Sequence, residues 1–585
     1  MQGVDYTTLV ASCHELSQRW IPSRVEQFYQ RDRYTLCMAI RTAHKRGWME
    51  ISWHPQAARI ALGSPPPKHP DTFTFSDQLR HQINGLALVD LTFKRPWERV
   101  VELKFAQRPQ DPIQGSLMVE VMNKYSNVVL LNADQVIVAA AHQVSAQQSR
   151  QRPVQTGQPY EMPPRQFAAQ PNVNESYDHW RSQVQLIPQP LIRALIQTYQ
   201  GVGSRLANRL IRAAGLQGTQ SVDQLAPQDW QRLFDQWQHW LRCLAQASFT
   251  PALCADGYTV LGLEADQPMP SVSEMLQQYY GEALAVQAFE RLRHQLVQAV
   301  GVRLKKLGQK ADQFQRQLMA EAEADQIRDQ ADLLMAYLHR WQPGMATIVL
   351  QDFVTGKDRT ISLDPELNAV QNAQKLYKKH QKLKRSRDYI QPLLHEVQRE
   401  MAYLDQVDAT IASLETYETD LDLEALQEIR EELVQEGYLS LPGDRRRSST
   451  AQTHYRSLKT PSGFTVLVGR NNQQNDHLTF KTAGSYDLWF HAQEISGSHV
   501  LLRLDAGVAV QEDDLQFCAN VAAYFSRARQ SDQVPVVYTQ PKYVFKPKGA
   551  KPGMAIYQQE QVLWGTPQAI GDLVSSESAK QGHET

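Results

Sequence analysis

Cysteine is scarce: the 585 residues contain five, and Cys13, Cys37, Cys243, Cys254 and Cys518 lie far apart with no C-x-x-C pair. This spacing excludes a disulfide scaffold and a zinc ribbon and suits a reducing cytosol. No apolar run approaches the ~20 residues of a membrane span. The opening MQGVDYTTLV has an acid and no apolar segment, so neither a secretory signal nor a membrane partner is expected. An excess of charge is missing too, since 61 Lys and Arg face 62 Asp and Glu for a net charge of −1. Any polyanion must therefore be met by local patches. Common catalytic signatures are absent: no GxxxxGK[ST] loop, HExxH, GxSxG elbow or GxGxxG fingerprint occurs. Neither an enzyme nor a cofactor is expected.

Hydrophobic residues make up 42% and charged residues 21%, as in ordinary globular proteins. At about 150 residues per domain the length implies roughly four domains. The expected class is multidomain α+β. A β-rich N-terminal domain covers 1–174, where WMEISWHP, LALVDLTFK, ERVVELKFA, SLMVEVM and NVVLLN read as strands. The polar QVSAQQSRQRPVQTGQPYEMPP marks its edge. A helical domain covers 175–265. Its Gly201, Val202, Gly203 and Ala207 have the spacing of a helix-hairpin-helix, which can offer N–H groups to phosphate or simply join two packed helices.

From 270 to 440 two heptad seams predict a long antiparallel coiled-coil hairpin. One runs Phe289, Leu292, Leu296, Val300, Leu304, Leu307, Ala311, Phe314, Leu318, and the other Ile390, Leu394, Val397, Met401, Leu404, Val407, Ile411, Leu414. Arms of ~70 residues would project roughly 100 Å, with a small β tip near 345–363. Pro392 should kink or interrupt the second arm. Residues 455–570 read as an α/β module, with SGFTVLVG, HLTFKTA, DLWFHAQ, HVLLRL and VPVVYTQ as strands. The tail 571–585 is expected to be disordered.

Two basic tracts offset the neutral total. QNAQKLYKKHQKLKRSR displays Lys378, Lys379, Lys382 and Arg385 with no acid, and YVFKPKGAKPGMAIY interleaves lysines with aromatics. Each is either a solvated face or a contact for an RNA backbone. His491 and His499, with Asp487 and Glu494, match no common zinc spacing and have no sulfur nearby, so a metal is not expected.

Several segments resemble the NFACT family, once called fibronectin-binding protein A-like. Gly469–Arg503, GRNNQQNDHLTFKTAGSYDLWFHAQEISGSHVLLR, is similar to the family's C-terminal motif at Asn471, Asn472, Asn475, Asp476, Trp489, His491, Gly497, Ser498 and His499. VPVVYTQPKYVFKPKGAKPGMAIY and DPELNAVQNAQKLYKKHQKLK resemble later and middle segments. VEVMNKYSNVVLLN resembles the N-terminal signature, with Asn123 where glycine is usual. The order of segments implies NFACT-N, helix-hairpin-helix, coiled-coil middle and NFACT-R domains.

The resemblance implies a cytoplasmic ribosome quality-control factor. Such proteins bind an obstructed large ribosomal subunit, through rRNA and a stalk-base protein, while it still carries peptidyl-tRNA. They recruit tRNA, alanyl-tRNA in bacteria, for template-independent tailing that marks the nascent chain for degradation. The matching tRNA-binding positions are Asp5, Arg80 and the pair Glu98-Arg99, with Glu98 where the family has Asp. Gly201 and Gly203 would contact phosphate, and Lys378, Lys379, Lys382 and Arg385 the ribosome. The alternatives are a surface fibronectin-binding adhesin and a nucleic-acid-processing enzyme of glycosylase-like fold. The latter would need an N-terminal amine, which loss of Met1 would place on Gln2.

Overall fold

The computed structural model describes residues 1–67, 71–149, 151–164, 168–321, 324–440 and 455–571. Two compact units form, Met1–Leu284 and Ala285–Thr585. The expected tail lies, beyond Gly571, outside the described residues, as does the basic linker GDRRRSST.

In the first unit Asp5 caps α1 (Tyr6–Trp20) by accepting from the Thr8 N–H at 2.8 Å. Leu9, Cys13, Leu16 and Trp20 recur along one face of that helix and are buried. The chain then lays down β1 (Ser23–Asp32), β2 (Thr35–Arg41), β3 (Arg46–Ser52) and β4 (Arg59–Gly63), followed by α2 (Thr74–Ile83). After it come β5 (Ala87–Phe93), β6 (Val100–Ala106), β7 (Ile113–Glu120), β8 (Asn127–Asn132) and β9 (Ile137–Ala140). All nine strands form one antiparallel sheet in the order β4-β3-β2-β1-β5-β6-β7-β8-β9. The five strands expected from sequence are present, whereas β1, β2, β4 and β9 were not anticipated. In β2 all residues but the last are buried, so the alternation that advertises a half-exposed strand is missing. Between β7 and β8, Asn123 has φ +51°. This left-handed turn is one that glycine adopts freely and asparagine tolerates.

The polar stretch after β9 is fastened rather than loose. Arg152 pairs through both guanidinium nitrogens with the buried Glu120, which also accepts from Tyr160 Oη at 2.7 Å. Val154 is buried against Val100, Met118 and Val129. Helices α3 (Tyr177–Val184), α4 (Leu191–Thr198), α5 (Ser204–Ala213) and α6 (Pro227–Gln246) follow, with a small sheet of β10 (Ala252–Cys254), β11 (Gly257–Thr259) and β12 (Gln267–Pro268). The large sheet and these helices share one hydrophobic core. Trp180, Trp230, Trp237 and Trp240 are fully buried there, and Trp240 Nε1 donates to Thr7 Oγ1 at 2.9 Å. Buried rings of this size dominate the burial energy, each indole covering on the order of 200 Å².

The second unit is built on α7 (Val272–Glu321), which begins in the first, followed by α8 (Ala324–Ala336), the hairpin β13 (Thr347–Gln351) and β14 (Asp358–Ser362), α9 (Ala369–Ser413) and α10 (Asp420–Gln435). Every residue of the two heptad seams except Ile390 belongs to or packs against one core, joined by Ala425, Leu426, Ile429 and Leu433 of α10. At 50 residues α7 spans about 75 Å. Pro392 does not interrupt α9, which runs unbroken for 45 residues. Pro392 and Asp388 lie on the exposed side, where water can satisfy the Asp388 carbonyl that a proline leaves without a donor.

The C-terminal module comprises β15 (Arg456–Lys459), β16 (Thr465–Val468), α11 (Asn472–His477), β17 (Leu488–Ala492), β18 (Val500–Leu502), α12 (Glu512–Tyr524), β19 (Val534–Thr539), β20 (Val544–Phe545), β21 (Ile556–Tyr557) and β22 (Gln561–Gly565). Its main sheet is antiparallel, ordered β15-β16-β18-β17-β19-β22, with α12 packed on it. HLTFKTA is not a strand. Its histidine ends α11, and Leu478–Thr482 continues as a π-helical turn that buries Leu478.

Replacing Pro392 by alanine should restore the missing helical hydrogen bond and favour the helix locally by up to about 3 kcal/mol. Amide exchange around residues 388–396 should slow accordingly. Unchanged or faster exchange would show that the proline fits a bend the helix needs.

Candidate nucleic-acid interface

In the first unit, residues distant in sequence converge on one cavity of about 270 Å³. Asp5 and Tyr6 reach it from the start of α1, Trp97, Glu98 and Arg99 from the β5–β6 connection, and Gly201, Val202 and Gly203 from the α4–α5 turn. Trp97 forms the wall. Its backbone is held at φ +64°, its ring centroid lies 4.9 Å from that of Tyr6 and 5.7 Å from that of Trp240, and Tyr6 in turn packs on Phe93. Gly201 is required twice over. Its φ is +75°, and a Cβ there would meet the Trp97 ring at 2.9 Å. Gly203 caps α5 and has open space where a side chain would stand.

The charges are arranged for selective polar contact. Arg99 Nη1 donates to the Val4 carbonyl at 3.0 Å. Burial pulls the guanidinium below its ordinary pKa, and Asp5 opposes that pull. Glu98 Oε1 contacts Arg95 at 3.5 Å, and its Oε2 is buried with no hydrogen-bond partner among the described residues. An unmet buried carboxylate oxygen is costly and will accept from a ligand N–H or O–H. Two carboxylates beside one guanidinium disfavour a bare phosphate and suit a group that both donates and accepts.

The structure joins Asp5, Glu98, Arg99, Gly201 and Gly203 in this one cavity but not Arg80. That residue stands elsewhere, pairing with Asp71 at 2.9 Å and with Asp77, and donating to the Phe28 carbonyl. Sequence reading missed the walls made by Tyr6 and Trp97. The tight R-P-W-E-R turn was the available signal, but a tryptophan held in the left-handed region leaves no mark in sequence. Gln2 lies outside the lining, with its backbone N–H donating to Tyr279 Oη at 2.6 Å. On α9, Lys378, Lys379, Lys382 and Arg385 are exposed and, among the described residues, form no ion pair, whereas Lys375 is engaged by Asp364 at 2.8 Å.

The C-terminal motif is largely internal. Asn471 caps α11 and donates to Glu428 of α10, which also receives Gln474 Nε2 at 2.8 Å. Asn472 Nδ2 donates to Glu432 at 3.1 Å and Arg470 to Asp422 at 3.0 Å. Asn475 Oδ1 accepts from the His499 N–H at 3.0 Å, and Gln406 of α9 donates to the Gly497 carbonyl at 2.7 Å. The Ser498 N–H donates to the Phe525 carbonyl at 2.9 Å, and Asp476 takes the Gly553 N–H and Lys546. Trp489 Nε1 donates to Thr479 Oγ1 at 3.0 Å, and Thr479 also meets His499 Nδ1 at 2.7 Å. Burial lowers His491 to about 4 and, with His491 nearby, His499 to about 3. Both imidazoles are thus neutral near pH 7, unfit to pair ionically with phosphate.

Comparison with known proteins matches this architecture. Residues 5–452 fit the family model described as NFACT N-terminal and middle domains, and residues 453–557 the NFACT protein RNA binding domain. The chain is 31% identical over 562 residues to Rqc2 homolog RqcH of Streptococcus suis, covering 93% of this chain and 94% of that one. To the protein of the same name from Bacillus subtilis it is 27% identical over 577 residues, covering 95% and 96%. The solved C-terminal part of the Streptococcus suis fibronectin/fibrinogen-binding protein aligns at 30% identity and a TM-score of 0.38, covering 49% of this chain and 98% of that one. The chain belongs to the NFACT family.

Glu432 makes the motif's joint sensitive to pH. Burial raises its carboxyl to about 7, opposed by Tyr403 Oη at 2.6 Å and Asn472, with Glu436 and Asp476 adding repulsion. A raised folded pKa means that the stabilisation is full below about 4.5, the ordinary value, and is lost as pH rises through about 7. Each unit of that shift corresponds to about 1.4 kcal/mol. Glu432→Gln should flatten the fall in thermal stability between pH 5 and pH 8. An equally steep fall in the variant would place the titration elsewhere.

Proposed function

We propose that the chain is a cytoplasmic ribosome quality-control factor. It binds a large ribosomal subunit obstructed by peptidyl-tRNA and recruits a tRNA, alanyl-tRNA by family resemblance, for template-independent tailing that marks the nascent chain for degradation. The observation that carries this reading is the cavity uniting Asp5, Glu98 and Arg99 with the Gly201–Gly203 turn. Arg99 offers paired N–H donors to a base edge. Glu98 Oε2 accepts from a base amine or ribose hydroxyl, and the α5 N-terminus faces a neighbouring phosphate. The peptide bond is left to the ribosome's own RNA, so the protein acts as a binding and positioning factor rather than an enzyme. Gln2 supports this over a glycosylase-like mechanism, because its nitrogen is held by Tyr279 and does not line the cavity. The seams of α7 and α9 form a coiled-coil hairpin in this reading. Its exposed lysines grip rRNA near the stalk base.

Two sets of variants test the reading by measuring tRNA and large-subunit rRNA recovered with the protein from cells. Arg99→Ala should abolish tRNA recovery while large-subunit binding persists, at a folding cost of about 1 kcal/mol for the lost Val4 contact. Glu98→Asp should keep or strengthen tRNA capture. Undiminished tRNA on Arg99→Ala would remove this cavity from tRNA binding. Changing Lys378, Lys379, Lys382 and Arg385 together to Glu should weaken large-subunit binding at least about tenfold near 150 mM salt and flatten its salt dependence. Unchanged sedimentation with large subunits would move the anchor elsewhere.

A further inference from the structure

The C-terminal motif is occupied with internal bonds, so RNA has to meet this module on another surface. The ribbon β20–β21 has the chemistry for it. Its register pairs Val544 with Tyr557 and Phe545 with Ile556. The inward pair is anchored: Val544 is buried and the Tyr557 ring lies 5.8 Å from that of Trp489. Strand alternation then turns the other pair outward, leaving Phe545 43% and Ile556 53% exposed. The connecting loop is tied down by Lys546 on Asp476, by the Gly553 N–H on Asp476, and by Lys551 on Glu436 and Tyr438. The outward side chains therefore sit on a held ribbon.

Those tethers also sort the cations. Lys546 and Lys551 are paired with the acids Asp476 and Glu436. Lys542 and Lys548 are exposed and, among the described residues, unpaired with any acid; Lys542 lies 4.9 Å from the centre of the Tyr543 ring. No Asp or Glu occurs from Gln533 through Gln559. An exposed phenyl ring flanked in sequence by two lysines that pair with no acid among the described residues, in a stretch without acids, complements a flat base carried on a charged backbone. A base face is open to such a ring only where the strand is unpaired.

We propose that the C-terminal module binds single-stranded RNA on the outer face of β20–β21, with a base stacked on Phe545 beside Ile556 and flanking phosphates held by Lys542 and Lys548. The proposal deepens the function above by giving RNA a defined surface, and it rests on that reading for the biological source of the strand.

The test uses the full chain with labelled single-stranded oligoadenylate, its duplex with oligouridylate, and inorganic polyphosphate as competitor. Phe545→Ala should weaken single-strand binding roughly 5- to 100-fold, the range for one lost base stack, without changing the salt slope. Phe545→Trp should retain binding. Lys542→Gln with Lys548→Gln should lower the salt slope instead. A 4-thiouridine strand should photo-crosslink within residues 541–557. The outward position of Phe545 keeps its replacement from disturbing the buried Val544–Tyr557 pair.

Unchanged binding by Phe545→Ala, duplex or polyphosphate bound as tightly as the single strand, or crosslinks confined to other segments would each overturn the platform. Those results are separable from the wider reading. Cellular recovery of tRNA and large subunits can persist without the platform, and crosslinking at 541–557 can persist if no ribosomal RNA is recovered.

Discussion

The contact on which the first unit's site depends is the Trp97 ring lying against the backbone of Gly201. It brings the β5–β6 turn to the α4–α5 turn, and Tyr6 closes the stack from the start of α1. Each partner is in a conformation few residues accept, with Trp97 at φ +64° and Gly201 at φ +75°. Left-handed backbone at a bulky residue persists only where surrounding packing over-determines it, and here the tryptophan-rich core supplies that packing. The carboxylate and guanidinium of Glu98 and Arg99 are delivered by the same turn. Their placement follows from the position of the indole.

The second unit solves a different problem, attaching a small sheet module to a helical frame through polar groups. Helix α10 carries acids that would repel one another if left alone. Asp422, Glu428 and Glu432 instead receive Arg470, Asn471, Gln474 and Asn472. Buried charges persist when paired and hydrogen-bonded, and an amide that donates on one side and accepts on the other suits such a joint. The asparagine-rich motif is therefore a fastener, which explains why its side chains point inward while Phe545 and Ile556 point out.

A net charge near zero conceals this division of labour. Acids are spent inside the second unit, on α10 and on Asp476, while Lys378, Lys379, Lys382, Arg385, Lys542 and Lys548 remain exposed. The first unit pairs its charges as well, as with Glu120 holding Arg152 and Tyr160. Among the described residues, its cavity keeps one carboxylate oxygen, Glu98 Oε2, without a partner. Bulk charge says little about ligands when ionic groups are sorted in this way between joints and surfaces.

Much was legible from pattern alone. Periodicity located five strands of the large sheet, the helical character of 175–265 and both heptad seams, because burial of one face imprints spacing on sequence. The Gly-Val-Gly turn and the segments quoted from the motif were equally visible. Strand β2 was not, since burial on both faces erases alternation, and HLTFKTA read as a strand because its apolar and polar residues happen to alternate. Asn471, through its cap, turned that segment into helix. Tertiary structure alone decided which charges meet: Arg80 pairs with Asp71 rather than entering the cavity, Glu98 lines the cavity, and Lys546 and Lys551 pair with Asp476 and Glu436. The sequence by itself determined most of the helices, strands and basic tracts, because those follow from neighbouring residues. Where their side chains end was settled only by contacts between residues tens to hundreds of positions apart, which local spacing does not encode.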